Sequence, residues 1–168
     1  MTEGRFRFEP LGSHHDRPSF SCGVEALDRY FHQQAGQDVR NKVATIWVLV
    51  DTDSTAIAGY YTLSATSIAL TSLPPELRKR LPRYPTLPAI LLGRLAVDTR
   101  YRGQRLGELL LFNALRRSLA LSDSLAAMAV LVEAKDDNAR RFYERYGFLR
   151  FVDDEHRLLM PMKHIERL

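Results

Sequence analysis

Apolar residues along this 168-residue chain recur with two periods, and the switches between them lay out the elements. Val24, Leu27, Phe31 and Ala35 recur at helical spacing, so residues 23–36 read as an amphipathic helix. "VATIWVLV" (43–50) is β-branched and aromatic, and after the turn "DTDST" a second long strand follows in "AIAGYYTLSATSIAL" (56–70). The two form an antiparallel hairpin. Residues 71–88 hold five of the eight prolines and read as a loop, with one helical turn at "PPELRKR". "AILLGRLAV" (89–97) is almost continuously apolar, as expected of a central strand covered on both faces, and "AAMAVLVEA" (126–134) is the next buried strand. Between them "LGELLLFNALRRSLAL" (106–121) predicts a helix with Leu106, Leu109, Leu110, Phe112 and Leu115 facing inward. "NARRFYERYGF" (138–148) is a short helix ended by Gly147 in a left-handed cap, and "FLRFV" and "HRLLMPM" close with two short strands.

Residues 89–134 therefore form a strand–helix–strand crossover, right-handed by the general rule, joined to an antiparallel hairpin. The sheet is mixed and the fold class is α/β. No repeat, low-complexity segment or linker interrupts the pattern, which implies one domain over 1–168.

Composition excludes several classes. A hydrophobic content of 45% and a charged content of 26% are ordinary for a soluble globular chain. No apolar stretch approaches the roughly 20 residues of a membrane span. The start, "MTEGRFRFEP", lacks the apolar core of a signal peptide, so the expected location is the cytoplasm. Cys22 is alone, which removes a disulfide framework or a cysteine zinc site. His14 and His15 are adjacent, but no carboxylate or histidine stands at ligand spacing from them, and His32, His156 and His164 are scattered. No metal is expected. Of the 24 basic residues 20 are arginine, a bias that suits phosphate-bearing partners and that a GC-rich genome also produces.

The chemistry concentrates at "RGQRLG" (102–107), where the strand hands over to the helix. Glycines at such a junction let backbone N–H groups close on a phosphate, and the helix N-terminus attracts its charge. The segment is neither a Walker loop, lacking Gly-Lys-Ser/Thr, nor a G-x-G-x-x-G dinucleotide fingerprint. On local pattern alone, an ordinary strand–helix turn stands beside the phosphate reading.

With its flanks, "LAVDTRYRGQRLGELLL" resembles the acetyl-CoA-binding segment of the GCN5-related N-acetyltransferases, Gln/Arg-x-x-Gly-x-Gly/Ala. Arg102, Arg105 and Gly107 stand at its first, fourth and sixth positions. Arg105 is a departure, because that position is normally glycine. "NARRFYERYGF" resembles the family's second motif, Asn-x-x-Ala-x-x-Phe/Tyr-Tyr-x-x-x-Gly-Phe, in compressed form. The resemblance implies two parallel strands that splay into a V-shaped acetyl-CoA slot, within a mixed sheet flanked by helices. It places the pantetheine arm against the backbone of Leu95, Ala96 and Val97. The pyrophosphate would lie on Arg102, Gly103, Gln104, Arg105, Leu106, Gly107 and Glu108. The Arg105 amide serves there if its φ is helical rather than left-handed. Asn138 is a cofactor contact or a helix cap.

"FSCGVEALDRYFHQQAGQDVRN", "GYYTLSA" and "LLGRLAVD" resemble one branch of that family, the acetyltransferase toxins of type II toxin–antitoxin systems, through nearly the whole chain. The resemblance implies acetylation of the α-amino group of aminoacyl-tRNA and arrest of translation. It also implies a ribbon-helix-helix antitoxin, contact with operator DNA only through that antitoxin, and a homodimer. Other readings are an acetyltransferase for a small amine, a peptide or a protein N-terminus, and a non-catalytic cofactor-binding regulator. The strand 89–97 contains no Asp or Glu, although many amine acetyltransferases use a carboxylate base. An α-amino group with a pKa near 7.7–8.0, lowered further by an adjacent ester, needs little base, whereas lysine at about 10.4 does.

Tyr143 matches the motif's tyrosine and would protonate, or hydrogen-bond, the departing coenzyme A thiolate; a core aromatic beside Phe142 and Tyr146 is the other reading of its spacing. Glu133 could act as a base through water, but pairing with Arg94 on the neighbouring strand is the expected arrangement. Arg78, Lys79, Arg80 and Arg83 in the loop, with Arg140, Arg141, Arg145 and Arg150 around Tyr143, are the candidate tRNA contacts. A solvated basic face is the alternative.

Overall fold

A computed structural model describes residues 4–168; Met1–Glu3, part of the segment read above for a signal peptide, lie outside the described residues. Seven strands share one sheet in the order β1-β2-β3-β4-β5-β7-β6. They are β1 (Phe6–Pro10), β2 (Thr45–Asp51), β3 (Ile57–Ala69), β4 (Thr86–Val97), β5 (Ala129–Glu133), β6 (Leu149–Arg150) and β7 (Arg157–Pro161). The helices are α1 (Glu25–Arg29, Tyr30–Gln34 and Ala35–Arg40), α2 (Pro75–Arg78), α3 (Leu106–Leu121), α4 (Asp137–Arg145) and α5 (Met162–Ile165). The β2–β3 hairpin is antiparallel and β4–β5 is parallel, as the hydrophobic pattern predicts. No helix among the described residues is long and apolar enough to cross a membrane.

The chain forms two compact units. One comprises residues up to Ser64 together with Gly93–Ala114. Its core gathers Phe20, Phe31, Ile46, Val48, Ile57, Tyr60 and Ala96, with Val24 and Leu27 of α1 packed against it. The expected helix over 23–36 extends to Arg40 and carries a π turn at Tyr30–Gln34, closed by the Ala35 N–H on the Tyr30 carbonyl. Tyr30 and Phe31, three and four residues after Leu27, open that turn and are both buried. The short strand β1, missed in the sequence, pairs with β2 and is held by Arg5 on the buried Asp51. In α3, Leu106, Leu110 and Leu115 are buried as expected, but Leu109 is 37% exposed and Phe112 only half-buried; Leu111 and Ala114 complete the inward face.

Where β3 and β4 run together, the backbones approach closely. A Cβ on Gly59 would stand 2.8 Å from Leu110 Cδ1 and 2.9 Å from the Ala96 carbonyl oxygen. Only glycine lets β3 lie so near both.

The second unit comprises Ala65–Leu92 and Leu115–Leu168, with Ile68, Leu73, Leu87, Ala129, Leu131, Phe151 and Leu159 in its core. Here the β4–β5 ladder runs from Ile90↔Val130 to Leu92↔Val132, and β7 pairs antiparallel with β5. Gly147 at φ +100° ends α4 as predicted.

Candidate active site

The loop behind β4 is built on Asp98. Its carboxylate is 1% exposed and accepts from the Ser21 N–H (3.0 Å), the Arg100 N–H (2.8 Å) and the Arg100 guanidinium (2.9 and 3.0 Å). Burial would raise the Asp98 pKa, but the Arg100 side chain and the two backbone donors outweigh it and hold the carboxyl below its ordinary range. A 3₁₀ turn at Thr99–Tyr101 follows, and α3 starts at Leu106, with the Leu109 N–H on the Arg105 carbonyl.

Between these two anchors, the backbone N–H groups of Gly103, Gln104, Arg105, Leu106 and Gly107 donate to no acceptor among the described residues. Successive unpaired amides at a helix start form a concavity for an anion. Gly103 has φ +80° and open space where a Cβ would stand. Arg105 departs from the expectation stated above: its φ is +58°, left-handed rather than helical. The loop thus keeps the backbone that a glycine would give and imposes it on an arginine. A left-handed residue followed by a helical one is itself a nest geometry, so the loop's shape survives the substitution. Arg102 is exposed and reaches the Cys22 carbonyl at 3.5 Å.

Upstream, Asp98 N–H bonds the Ala58 carbonyl and the Ala96 carbonyl faces Gly59. Backbone groups alternate along a strand, so those of Leu95 and Val97 point away from β3. Ala96 does not fit its expected role: its backbone is turned to β3 and its methyl is in the core. Arg94, expected to pair with Glu133, instead lies with its guanidinium carbon 3.4 Å from the centroid of the Tyr30 ring. Glu133 is exposed and stands opposite Arg157 in the β5–β7 ladder.

In the second unit Tyr143 is 9% exposed, its ring 5.2 Å from Phe142 and 5.3 Å from Phe148. Burial raises its pKa above the ordinary phenol value, and its hydroxyl has no hydrogen-bond partner among the described residues. The residue is buried, yet its hydroxyl is not among the buried polar atoms left without a partner, so the ring is packed while the hydroxyl still reaches solvent. The α4 cap is Asp136, whose side chain accepts from the Ala139 N–H at 2.8 Å. Asn138 is therefore not the cap; it is exposed and accepts from Arg141.

The basic candidates divide. Among the described residues Arg78, Arg80 and Arg83 are exposed and have no ion-pair partner, Lys79 pairs with Glu76 at 3.5 Å, and Tyr84 beside them is 63% exposed. Leu70, Pro75, Arg78, Lys79, Leu81 and Arg83 line a groove of about 440 Å³. Arg141 and Arg145 are exposed. Arg140 is not available: its side chain is 13% exposed and lies 3.1 Å from Asp137, 3.3 Å from Glu144 and 3.6 Å from Glu155. Arg150 is held by Glu144 at 2.8 Å.

Among the described residues two groups of side chains could hold a metal ion, Glu9 with His14 and His15, and Asp137 with Glu155 and His156. The first overturns the expectation that the histidine pair has no carboxylate neighbour, because β1 brings Glu9 to it. His15 is nonetheless committed. Its Nδ1 accepts the Gly12 N–H at 2.9 Å, which leaves the ring proton on Nε2 to bond Glu9 at 2.8 Å. In the second group Asp137 is shared between His156 and Arg140.

Residues 42–150 match the family model of the acetyltransferase (GNAT) domain. The chain is 34% identical to the tRNA-acetylating toxin of Mycobacterium tuberculosis (strain ATCC 25618 / H37Rv), over 91% of this chain and 90% of that one. A tyrosine-to-phenylalanine mutant of KacT superposes with a TM-score of 0.90 at 30% identity, covering 97% of this chain and 98% of the other. AtaT complexed with acetyl-methionyl-tRNAfMet gives 0.89 at 30% identity, with coverage of 96% and 98%. A tyrosine-to-phenylalanine mutant of AtaT, bound to the C-terminus of the antitoxin AtaR and acetyl-CoA, gives 0.81 at 27% identity and 97% coverage of each chain. The cradle of free amides behind β4 and the match over both motifs agree: the chain belongs to the GCN5-related N-acetyltransferases, in the branch that contains the tRNA-acetylating toxins.

Proposed function

We infer that this protein is a toxin that transfers the acetyl group of acetyl-CoA to the α-amino group of aminoacyl-tRNA. The observation that carries the reading is the run of unpaired amides from Gly103 to Gly107, in a chain alignable end to end with AtaT in complex with acetyl-methionyl-tRNA. The coenzyme A pyrophosphate rests on that run, with Arg102 and Arg105 as added positive charge. The pantetheine amides bond the outward backbone groups of Leu95 and Val97. The α-amine attacks the thioester carbonyl, a C–N bond forms, and the C–S bond breaks. The amine proton leaves to solvent and Tyr143 donates to the departing thiolate. Because burial raises the Tyr143 pKa, the phenol is a hydrogen-bond donor that stabilises the thiolate as it develops, and its proton is in place throughout the cellular pH range. Arg78, Lys79, Arg80, Arg83, Arg141 and Arg145 supply phosphate contacts, and Arg140 is left out of that set.

The full chain serves as one catalytic domain and works in the cytoplasm as a homodimer. A ribbon-helix-helix antitoxin covers the basic rim and alone contacts operator DNA; the AtaT complex with the C-terminus of AtaR supports such a partner. A peptide N-terminus as acceptor is the competing reading. Mass spectrometry of total aminoacyl-tRNA after incubation with protein and acetyl-CoA distinguishes the two, with Tyr143→Phe as the control. The variant keeps the ring packing and should lower the rate by roughly 10²–10⁴ with little change in binding. Unmodified tRNA alongside acetylated peptides would overturn the reading.

A further inference from the structure

Arg94 follows Gly93 on β4 and is half-buried, yet it makes no hydrogen bond and no ion pair among the described residues. Its guanidinium carbon lies over the Tyr30 ring, 3.4 Å from the centroid. Tyr30 is held from every side. It is buried, Phe31 next to it stacks on Tyr60 at 4.3 Å, and its hydroxyl donates to Asp38 at 2.7 Å. Asp38 also accepts from Gln34 at 2.9 Å; it feels the Arg94 charge but makes no ion pair with it. The arrangement holds a guanidinium over a fixed ring and leaves its five donors without an acceptor among the described residues, which is a geometry for receiving an oxyanion.

The position along β4 says which anion. The pyrophosphate cradle begins beyond Val97, and Arg94 stands three residues back, about 10 Å at the usual rise per residue. A pantetheine arm running from the cradle along Val97 and Leu95 brings its sulfur, not its phosphates, to the level of Arg94. An anion there belongs to the acceptor. In an aminoacyl-tRNA the reacting amine is carried on the terminal ribose, whose nearest anion is the phosphodiester on the 5′ side of that nucleotide. We propose that Arg94, held on Tyr30, binds this terminal phosphodiester and thereby selects nucleotide-borne amines over free amino esters and peptides. This rests on the acceptor class inferred above.

The test uses Arg94→Gln and Arg94→Lys in the full chain. Arg94→Gln should raise KM for aminoacyl-tRNA at least tenfold while calorimetry shows the same acetyl-CoA affinity. The ratio of kcat/KM for charged tRNA over methionine methyl ester should fall by a similar factor. Arg94→Lys, which keeps charge but not the flat fork, should fall between. Binding of a single-stranded oligonucleotide ending in CCA, followed by fluorescence anisotropy, should weaken in the same order whether or not the wild type acetylates tRNA. A wild type that binds the oligonucleotide through Arg94 but leaves tRNA unmodified would sink the acceptor reading alone. Equal oligonucleotide affinities, an unchanged selectivity ratio, or a matching loss of acetyl-CoA affinity would overturn the role of Arg94.

Discussion

Arg105→Gly tests whether the phosphate loop carries backbone strain. The left-handed region costs a non-glycine residue about 1–2 kcal/mol, and Arg105 occupies it at φ +58°. Glycine removes that cost but gives up about 0.5–1 kcal/mol through its freer unfolded chain. The net expectation is a gain of about 0.5–1 kcal/mol, or a rise of roughly 1–4 °C in Tm for a chain of this size. Arg105→Ala keeps the strain and removes the same cation, so its Tm should stay at the wild-type value. Both variants lose an exposed positive group beside the proposed pyrophosphate site, and both should weaken acetyl-CoA binding by about two- to fivefold. Differential scanning calorimetry and titration calorimetry read the two quantities separately. If Arg105→Ala stabilises as much as Arg105→Gly, the left-handed backbone is not the cause and the argument fails. If Arg105→Gly abolishes binding while Arg105→Ala does not, the side chain was not the shared loss.

Changing Arg78, Lys79 and Arg80 together to Ala should weaken tRNA binding and reduce the slope of log K against log salt by about two to three, with acetyl-CoA affinity unchanged; an unaltered slope would place this loop away from the tRNA. Acid should destabilise the fold in a defined direction. Asp51 is held well below the usual carboxylate range, chiefly by its hydrogen bond to Arg5, and Asp98 is lowered by Arg100 and backbone donors. Depressed folded pKa values contribute stability that is complete above about pH 4 and is lost as pH falls further. Tm measured from pH 7 to pH 3 should fall below pH 4, and more shallowly in Asp98→Asn; a slope that this variant leaves untouched would remove Asp98 from the account.

The elements with sustained periodicity were legible. α3 occupies the predicted 106–121, and the hairpin and the parallel crossover follow the apolar runs. What failed depended on a third residue distant in sequence. "KDDN" offers several caps, and only the backbone selects Asp136. Asp137 and Glu144 at i−3 and i+4 could have warned that Arg140 is neutralised on its own helix, but Glu155 comes from the turn before β7. The Glu9–His15 bond needs β1, whose alternation of Phe6, Arg7, Phe8 and Glu9 is a strand signal that the sequence reading passed over. The π turn has no sequence signal, although Tyr30 and Phe31, three and four residues after Leu27, stand on the face that a helical period assigns to the core.

The same residues settle what the pH dependence of catalysis should look like. β4 carries no Asp or Glu, so no carboxylate of that strand can take the amine proton. The remaining candidate, Glu133, is exposed and lies opposite Arg157. The limb of kcat/KM that rises with pH should therefore report the acceptor amine itself, below the 7.7–8.0 of a free α-amine because of its ester. Acceptors with different amine pKa values should move the limb by the same amount, and Glu133→Gln should not. On the alkaline side the proposed mechanism requires Tyr143 to keep its proton. Burial raises its pKa above the ordinary 10, so no falling limb should appear before the protein itself fails. A rate profile rising near pH 4–6 irrespective of the acceptor would reveal an enzymic base. A fall between pH 8 and 9 that persists in Tyr143→Phe would assign the donor to another group.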